Sequence, residues 1–299
     1  MSDVTVRQLE YFLAVIDHGS ISAASRNIHI SQAAVSMAIQ QLEKTLNASL
    51  LTRSASQSAV PTPAGESLIP YARNVVRGVR DAVNAVHNDH SDMRGTLRIL
   101  MTPTISPYVV PPLIKYFQKT YPNVLIEVDE ELHASEIHTA IRTGKADLGI
   151  LYHLSLLPNF QCRVIKEVRQ HVAISADHRL AQEQEIHLAD IIDEPLIPIR
   201  LPPSITRITD AIKALDLQPN IQWPSQNYET VRSMVGYGLG WSYLNLVPKT
   251  GTTYDGDEIC YIPIADPMPY NAIVGITHPD IEPNARITAA LDYLVSREQ

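Results

Sequence analysis

Gly19-Ser20-Ile21-Ser22-Ala23-Ala24-Ser25-Arg26-Asn27-Ile28-His29-Ile30-Ser31-Gln32-Ala33-Ala34-Val35-Ser36 is the stretch on which the fold of this chain turns. It reads as a short Ala-rich helix that Ser20 caps and that ends near Asn27. A tight turn follows, Ile28-His29-Ile30, and Ser31 then caps a longer helix over about 32–46. In that longer helix Val35, Ile39, Leu42 and Leu46 recur at helical spacing and face inward. Upstream, Leu9, Phe12, Leu13 and Ile16 give a first helix one apolar face, and Gly19 ends it. Two helices joined by a tight turn, the second starting at a capping Ser, form the helix-turn-helix pattern. Downstream, Leu50 to Val60 has polar, turn-prone residues between short apolar ends, which suits a small β-wing.

A long helix comes next. Thr62 is placed to cap it, and Pro63 fits its first position, where a missing N–H costs nothing. Leu68, Ala72, Val75, Val79, Ala82 and Val86 alternate four and three residues apart, with Ile69, Val76 and Val83 as a flanking stripe. A narrow seam of this kind is what a two-stranded coiled coil needs. A helix packed on its own domain is the plainer alternative. Dimerisation matters because paired helix-turn-helix units read two half-sites on DNA.

From about residue 94 the pattern becomes strand–helix alternation. Leu97–Met101, Val124–Val128 and Asp147–Tyr152 read as strands, with helices near Ser106–Lys119 and His133–Thr143 between them. The theme repeats after Val168, with a strand at Val172–Ser175, helices near Ile205–Leu215 and Tyr228–Tyr237, and a strand at Trp241–Leu244. Such alternation predicts mainly parallel sheets. Two α/β lobes of this size bind ligands in the crevice beyond their strand ends.

Bulk properties set the bounds. A chain of 299 residues, 45% hydrophobic and 19% charged, is that of an ordinary globular protein with two or three compact units. No apolar run has the length of a membrane span and no signal-peptide pattern opens the chain, so the cytoplasm is the expected compartment. Cys162 and Cys260 are the only cysteines, far apart in sequence, and read as ordinary reduced thiols. The formal net charge of −8 gives nucleic-acid binding no support. Residues 1–95 carry eight basic and eight acidic side chains, so the acidic excess lies wholly after them.

Arg7-Gln8-Leu9-Glu10-Tyr11-Phe12, Gly19-Ser20, Ala23-Ala24, Ser31 to Ser36, Ile39, Leu42-Glu43 and Leu46 stand in an order and spacing that resemble the LysR-type transcriptional regulators. Leu50-Leu51-Thr52-Arg53 and Thr62-Pro63-Ala64-Gly65 continue the match. Weaker agreement covers Gly144 to Ile150, His178 to Ala181, Glu194 to Ile197 and Gly238-Leu239-Gly240. The resemblance implies an α+β multidomain chain: a winged helix-turn-helix over 1–61, a dimerising linker helix over 62–92 and an effector-binding domain over 93–299. That last domain is expected to resemble periplasmic binding proteins, with lobe I at about 93–167 plus 269–299 and lobe II at about 168–268. The implied partners are promoter DNA, a small-molecule effector, further copies of the chain up to a tetramer, and RNA polymerase. No cofactor or metal is expected.

Physical chemistry gives these residues their roles. The helix opened by Ser31 presents free N–H groups and a partial positive charge to a phosphate. Gln32 can bond an adenine edge bidentately, Ala33 or Ala34 can meet a thymine methyl, and Ser36 reaches a base or phosphate one turn on. Arg53 is placed to grip the backbone or minor groove from the wing. Two departures stand out. Ala33 and Met37 replace the family's usual Pro and basic residue, and the wing Ser54-Ala55-Ser56-Gln57-Ser58 lacks basic side chains.

For the effector, Thr102-Pro103-Thr104-Ile105-Ser106 follows the first strand and opens a helix, a cradle for a polar or anionic ligand. His153, Arg200, Ser204 and Asn227 complete the candidate set, Arg200 pointing to a carboxylate. Each also fits an ordinary structural role, which is capping for Thr102, Ser204 and Asn227 and a surface or core-edge place for His153 and Arg200. Enzyme motifs are missing: there is no Gly-x-Ser-x-Gly elbow, phosphate-binding Gly-rich loop ending in Lys, or His-Glu-x-x-His. His133 and His138, five apart, make a poor helical metal pair. The remaining alternatives are a thiol-based redox-sensing regulator using Cys162 and Cys260, and a solute-binding protein, which the first 90 residues oppose.

Overall fold

The computed structural model describes residues 4–53, 58–86, 93–201 and 204–298. Helix α1 spans Val6–His18. Thr5 and Gln8 close a reciprocal capping box at its start, and Gly19 ends it in the left-handed region at φ 72°. Helix α2, Ile21–Asn27, is capped by Ser20. The turn passes through His29 at φ 55° into α3, Gln32–Leu46. Strands β1, Leu51–Arg53, and β2, Ala59–Pro61, pair antiparallel as the base of the wing. Leu9, Phe12, Leu13, Ala24, Val35, Ile39 and Leu42 make one core, in which Val15 is fully buried and Ile16 only half-buried. Each large side chain buried there stabilises the head by about 1.5–3 kcal/mol.

Helix α4, Pro63–Val86, begins as the sequence predicts, with the Gly65 N–H donating to Thr62 Oγ1 at 3.1 Å. Its first turn lies tightly on the wing base: a Cβ added at Gly65 would lie 2.1 Å from the Leu50 carbonyl oxygen. The heptad seam divides between two roles. Ala72 joins the supposed flank residues Ile69 and Val76 in closing the head's core. Tyr71, Val75, Val79 and Val83 remain exposed as the outward stripe. The division follows from geometry, because the first turns of α4 must cover α1 before the helix leaves the head.

Lobe I is a sheet of strand order β4-β3-β5-β12-β6. Strands β3, Gly95–Met101, β4, Val124–Glu130, and β5, Leu148–Tyr152, are parallel, whereas β6, Gln161–Glu167, and β12, Ala272–Thr277, add antiparallel pairings. Helices α5, Ser106–Thr120, and α6, Ala134–Arg142, cover it together with the C-terminal helix Ala285–Ser296. Lobe II is built on β7, His171–Ser175, flanked by β10, Ser242–Leu244, and β11, Ile259–Pro263, both antiparallel to it. The short strands β8, Pro195–Leu196, and β9, Asn220–Ile221, run parallel. Helix α7, Ser204–Lys213, buries Ile212 in the same core as Leu196, and α8, Tyr228–Gly236, packs on β7, β10 and β11; the C-terminal helix is α9. The expected parallel order therefore holds for β4-β3-β5. It gives way at β12, β6 and β7, the strands next to the two passages of the chain between the lobes.

Candidate nucleic-acid interface and inter-lobe crevice

The N-terminal turn of α3 faces outward. Ser31, Gln32, Ala33 and Ala34 are all exposed, while Val35, Ile39 and Leu42 behind them are buried. Ser31 Oγ accepts from the Ala34 N–H at 3.2 Å, which satisfies one free donor and leaves others pointing outward. Gln32 Nε2 donates to Ser22 Oγ at 3.1 Å, and the same oxygen accepts from Arg26 Nη1 at 3.1 Å. Gln32 and Arg26 are thus held side by side across α2 and α3. Ser36 is half-buried and accepts from Gln40 Nε2 at 3.5 Å. A groove of about 470 Å³ runs between α3 and the wing base, lined by Ser22, Gln32, Ala33, Ser36, Gln40 and Thr52 among others. Met37, the next residue of α3 after Ser36, is 69% exposed.

Arg53 ends β1, but its side chain, like Ser54–Gln57, lies outside the described residues. Arg26, Gln40 and Thr52 were not singled out by the sequence pattern. Arg26, two positions before Ile28-His29-Ile30, gives no signal of its place beside Gln32 until α2 and α3 are docked.

The crevice between the lobes is narrow, about 30 Å³, and lined by Thr104, Tyr152, Ile199, Leu201, Ile208, Tyr228, Tyr243, Leu244, Asn245 and Leu246. Thr104 Oγ1 and the Tyr152 hydroxyl lie 3.2 Å apart. Burial pushes the Tyr152 hydroxyl up to about 12, and the Thr104 contact eases the shift. Burial raises Tyr228 and Tyr243 as well, so all three phenols stay neutral donors at any physiological pH. The Tyr228 hydroxyl donates to the Leu246 carbonyl at 3.0 Å. Where the chain passes between lobes, Gln170 Nε2 donates to the Pro269 carbonyl at 2.9 Å and Asn271 Nδ2 to Asn245 Oδ1 at 3.1 Å.

Of the sequence candidates, Thr104 lines this crevice. Thr102 is buried, its N–H donating to the Ile150 carbonyl at 3.0 Å, and Ser106 is buried in the first turn of α5, which has no side-chain cap. His153 packs edge-on against Tyr270, ring centroids 5.3 Å apart. Arg200 is exposed, and Asn227 caps α8 by accepting from the Thr230 N–H at 2.9 Å. The side chain of Ser204 is outside the described residues. Sequence reading missed Tyr152, Tyr228 and Tyr243. Each sits within an apolar strand or helix pattern, where it looks like core. Cys162, exposed on β6, and Cys260, half-buried on β11, belong to separate sheets. Among the described residues no group of three or more His, Cys, Asp or Glu side chains is placed to hold a metal ion.

Two family profiles match the chain. That of the bacterial regulatory helix-turn-helix protein, lysR family, covers residues 6–66, and that of the LysR substrate binding domain covers residues 90–299. Among curated relatives, a hydrogen peroxide-inducible genes activator of Pectobacterium carotovorum subsp. carotovorum is 27% identical over 285 residues, 92% of this chain and 91% of the relative. The HTH-type transcriptional regulator CysL of Bacillus subtilis (strain 168) is 28% identical over 239 residues, 79% of each chain. A crystal structure of a putative LysR family transcriptional regulator from Pseudomonas aeruginosa superposes with a TM-score of 0.64 at 28% identity over 99% of each chain.

Proposed function

Since the chain belongs to the LysR family of DNA-binding transcriptional regulators, which bind promoter DNA and small-molecule effectors and oligomerise, we propose how this member divides those functions. Residues 1–61 read the promoter, 62–92 link and dimerise, and 93–299 sense the effector. Ser31, Gln32, Ala33, Ala34, Ser36 and Arg53 make the DNA contacts, Gln32 reading a base edge and Arg53 gripping the backbone. The observation that carries this reading is the outward-facing N-terminal turn of α3 beside a groove, with the apolar side of the helix buried behind it. The exposed stripe Val75, Val79 and Val83 supports pairing of two linker helices, with a tetramer as the full assembly. The protein works in the cytoplasm, where RNA polymerase is its downstream partner.

The effector enters the crevice around Thr104. The described lining offers phenol hydroxyls, one amide and aliphatic side chains, which supports a small molecule with an apolar body and few hydrogen-bonding groups. An anionic ligand held by Arg200 draws no support from this lining, because Arg200 is exposed outside it. The peroxide response named for some relatives is the second reading. A disulfide between Cys162 and Cys260 would need two separate sheets to meet, so the small-molecule reading is preferred.

Titrating the full chain against DNA carrying its own promoter region, with salt varied, tests the first half. Binding that weakens with salt and protects a discrete footprint is expected; absence of salt-dependent binding refutes it. A thermal-shift screen of small metabolites, repeated on Thr104→Val, tests the second half. A stabilising ligand indifferent to Thr104→Val excludes this crevice.

A further inference from the structure

Apart from the crevice and the α3 groove, a polar contact joins α4 to lobe I. Arg77, on the linker helix, forms an ion pair with Asp147 and donates through Nη2 to the Gly144 carbonyl at 2.8 Å. The Asp147 side chain is 6% exposed. Its second oxygen accepts from the Arg98 N–H at 2.9 Å, and its own N–H donates to the Arg98 carbonyl at 2.8 Å. Asp147 is therefore fixed to the backbone of β3 on one side and to the linker on the other. One turn before Arg77, Arg73 pairs with Asp17 of α1, so the same stretch of α4 holds the head. Gly144, at φ 66°, lets the loop approach closely: a Cβ there would meet Arg77 Nη2 at 3.1 Å and Arg73 Cδ at 3.3 Å.

The surroundings of this contact are open. A cavity of about 610 Å³ lies on the α1 side and another of about 160 Å³ on the α9 side, and Arg77 lines both. Beyond them, Tyr71 meets His278 edge-on at 6.2 Å. With cavities on both sides, the joint depends heavily on Asp147, which pairs with Arg77 of the linker and, at 3.9 Å, with Arg98 of β3.

The strands that hold Asp147 run straight to the crevice. β5 begins after Asp147 and ends at Tyr152, and β3 runs beside it, with Ile99, Leu100 and Met101 opposite Leu148, Gly149 and Ile150. β3 leads to Thr104, whose hydroxyl meets Tyr152. Five residues of strand span about 16 Å. The pair forms a short hydrogen-bonded ladder, with crevice residues at one end and the linker contact at the other.

We propose that Asp147 is the positioning residue that fixes the DNA-binding head to lobe I through Arg77, and that the β3–β5 pair carries the state of the crevice to this contact. The proposal rests on the crevice reading above. Movement at Thr104 and Tyr152 strains or relieves the Arg77 contact, and the head is held or released accordingly. Such coupling is reciprocal, so DNA binding also biases the crevice.

The test uses the full chain with Cys162→Ser and Cys260→Ser, spin labels on Gln41→Cys and Leu125→Cys, both exposed, and an excess of unlabelled chain so that only distances within one subunit are read. The pinned chain is expected to give one narrow distance. Asp147→Asn and Arg77→Gln should each broaden or split it, and Arg77→Lys should retain most of it. Arg77→Gln lies outside the lobe, so it stands in if Asp147→Asn misfolds. A wedge in the crevice, Thr104→Trp, should shift the distance and change promoter affinity by about fivefold or more in the pinned chain, and do neither in Asp147→Asn. An unmoved distance in both pin variants, or a wedge equally effective without Asp147, overturns the proposal. So does a wedge with no effect in the pinned chain. A wedge that works in a chain whose crevice takes no small molecule supports the pin and refutes the effector reading alone.

Discussion

Replacing Gln32 by Ala separates base reading from general attraction to DNA, and the structure sets the size of the effect. Gln32 Nε2 spends one hydrogen on Ser22, leaving its second hydrogen and Oε1 for a base edge. A bidentate pair of this kind is worth about 1–3 kcal/mol of discrimination, roughly 5- to 150-fold in the ratio of specific to nonspecific affinity. The amide carries no charge, so the salt dependence on either DNA should stay the same. Stability should barely change. The lost bond to Ser22 is exposed, and Ala is the better helix former by a few tenths of a kcal/mol. Arg26→Ala is the control. It removes the cation held beside Gln32 and should weaken both DNAs alike while lowering the salt slope by about one. Anisotropy titrations of a promoter fragment and a scrambled fragment at several salt concentrations read both quantities. Loss of affinity for both fragments in equal measure on Gln32→Ala would refute base reading by this side chain.

Three further outcomes follow from particular contacts. Gly65→Ala places a Cβ 2.1 Å from the Leu50 carbonyl oxygen and should cost about 3 kcal/mol of head stability, read by urea denaturation together with lost DNA binding. Val79→Glu, on the exposed stripe, should move the chain to a smaller species in sedimentation while leaving the folded head intact; an unchanged assembly rejects that stripe as the dimer seam. His138 is buried, its Nε2 accepts from the Leu157 N–H at 3.2 Å, and burial holds its pKa below the usual 6.5. The unfolded ring takes up a proton near pH 6.5 and the folded ring does so only at lower pH. Stability is therefore full above that point and falls on acidification toward the folded pKa. His138→Gln should flatten that part of the urea-midpoint profile, and a profile matching the parent's in the window would remove His138 as its source.

The head was legible because its information is local. Caps at Ser20, Ser31 and Thr62 and apolar spacing within single helices define it almost residue by residue. Where two roles overlap on one helix, spacing misleads. Ile69 and Val76 look like a flank of the coiled-coil seam, yet they close the core of the head. In the lobes, β3, β4 and β5 follow from alternation, whereas β6 and β12 depend on partners more than a hundred residues away in sequence. The crevice was least legible. Tyr152, Tyr228 and Tyr243 come from three separate elements and meet only after the lobes fold against each other; the polar neighbours His153 and Asn227 stood out in the sequence, but the tyrosines themselves read as core. The turn at Thr102–Ser106 did point to the right end of β3, but its hydroxyls divide: Thr104 reaches the crevice, and Thr102 and Ser106 are buried in the structure behind it.

A net charge of −8 looks like an obstacle to DNA binding, but its placement changes its meaning. The excess acid lies after residue 95, and at physiological salt a charge is screened beyond about 8 Å. On the proposed contact surface DNA therefore senses mainly the neutral head, with Arg26 held beside Gln32 and the N-terminal dipole of a 15-residue helix. Nonspecific affinity is almost wholly electrostatic, whereas specific affinity also draws on base-edge contacts that carry no net charge. Removing cations from the reading head thus weakens binding at random sites more than at the operator. A basic-poor head such as this one trades overall affinity for a larger ratio between the two, with a shallow salt slope as its signature.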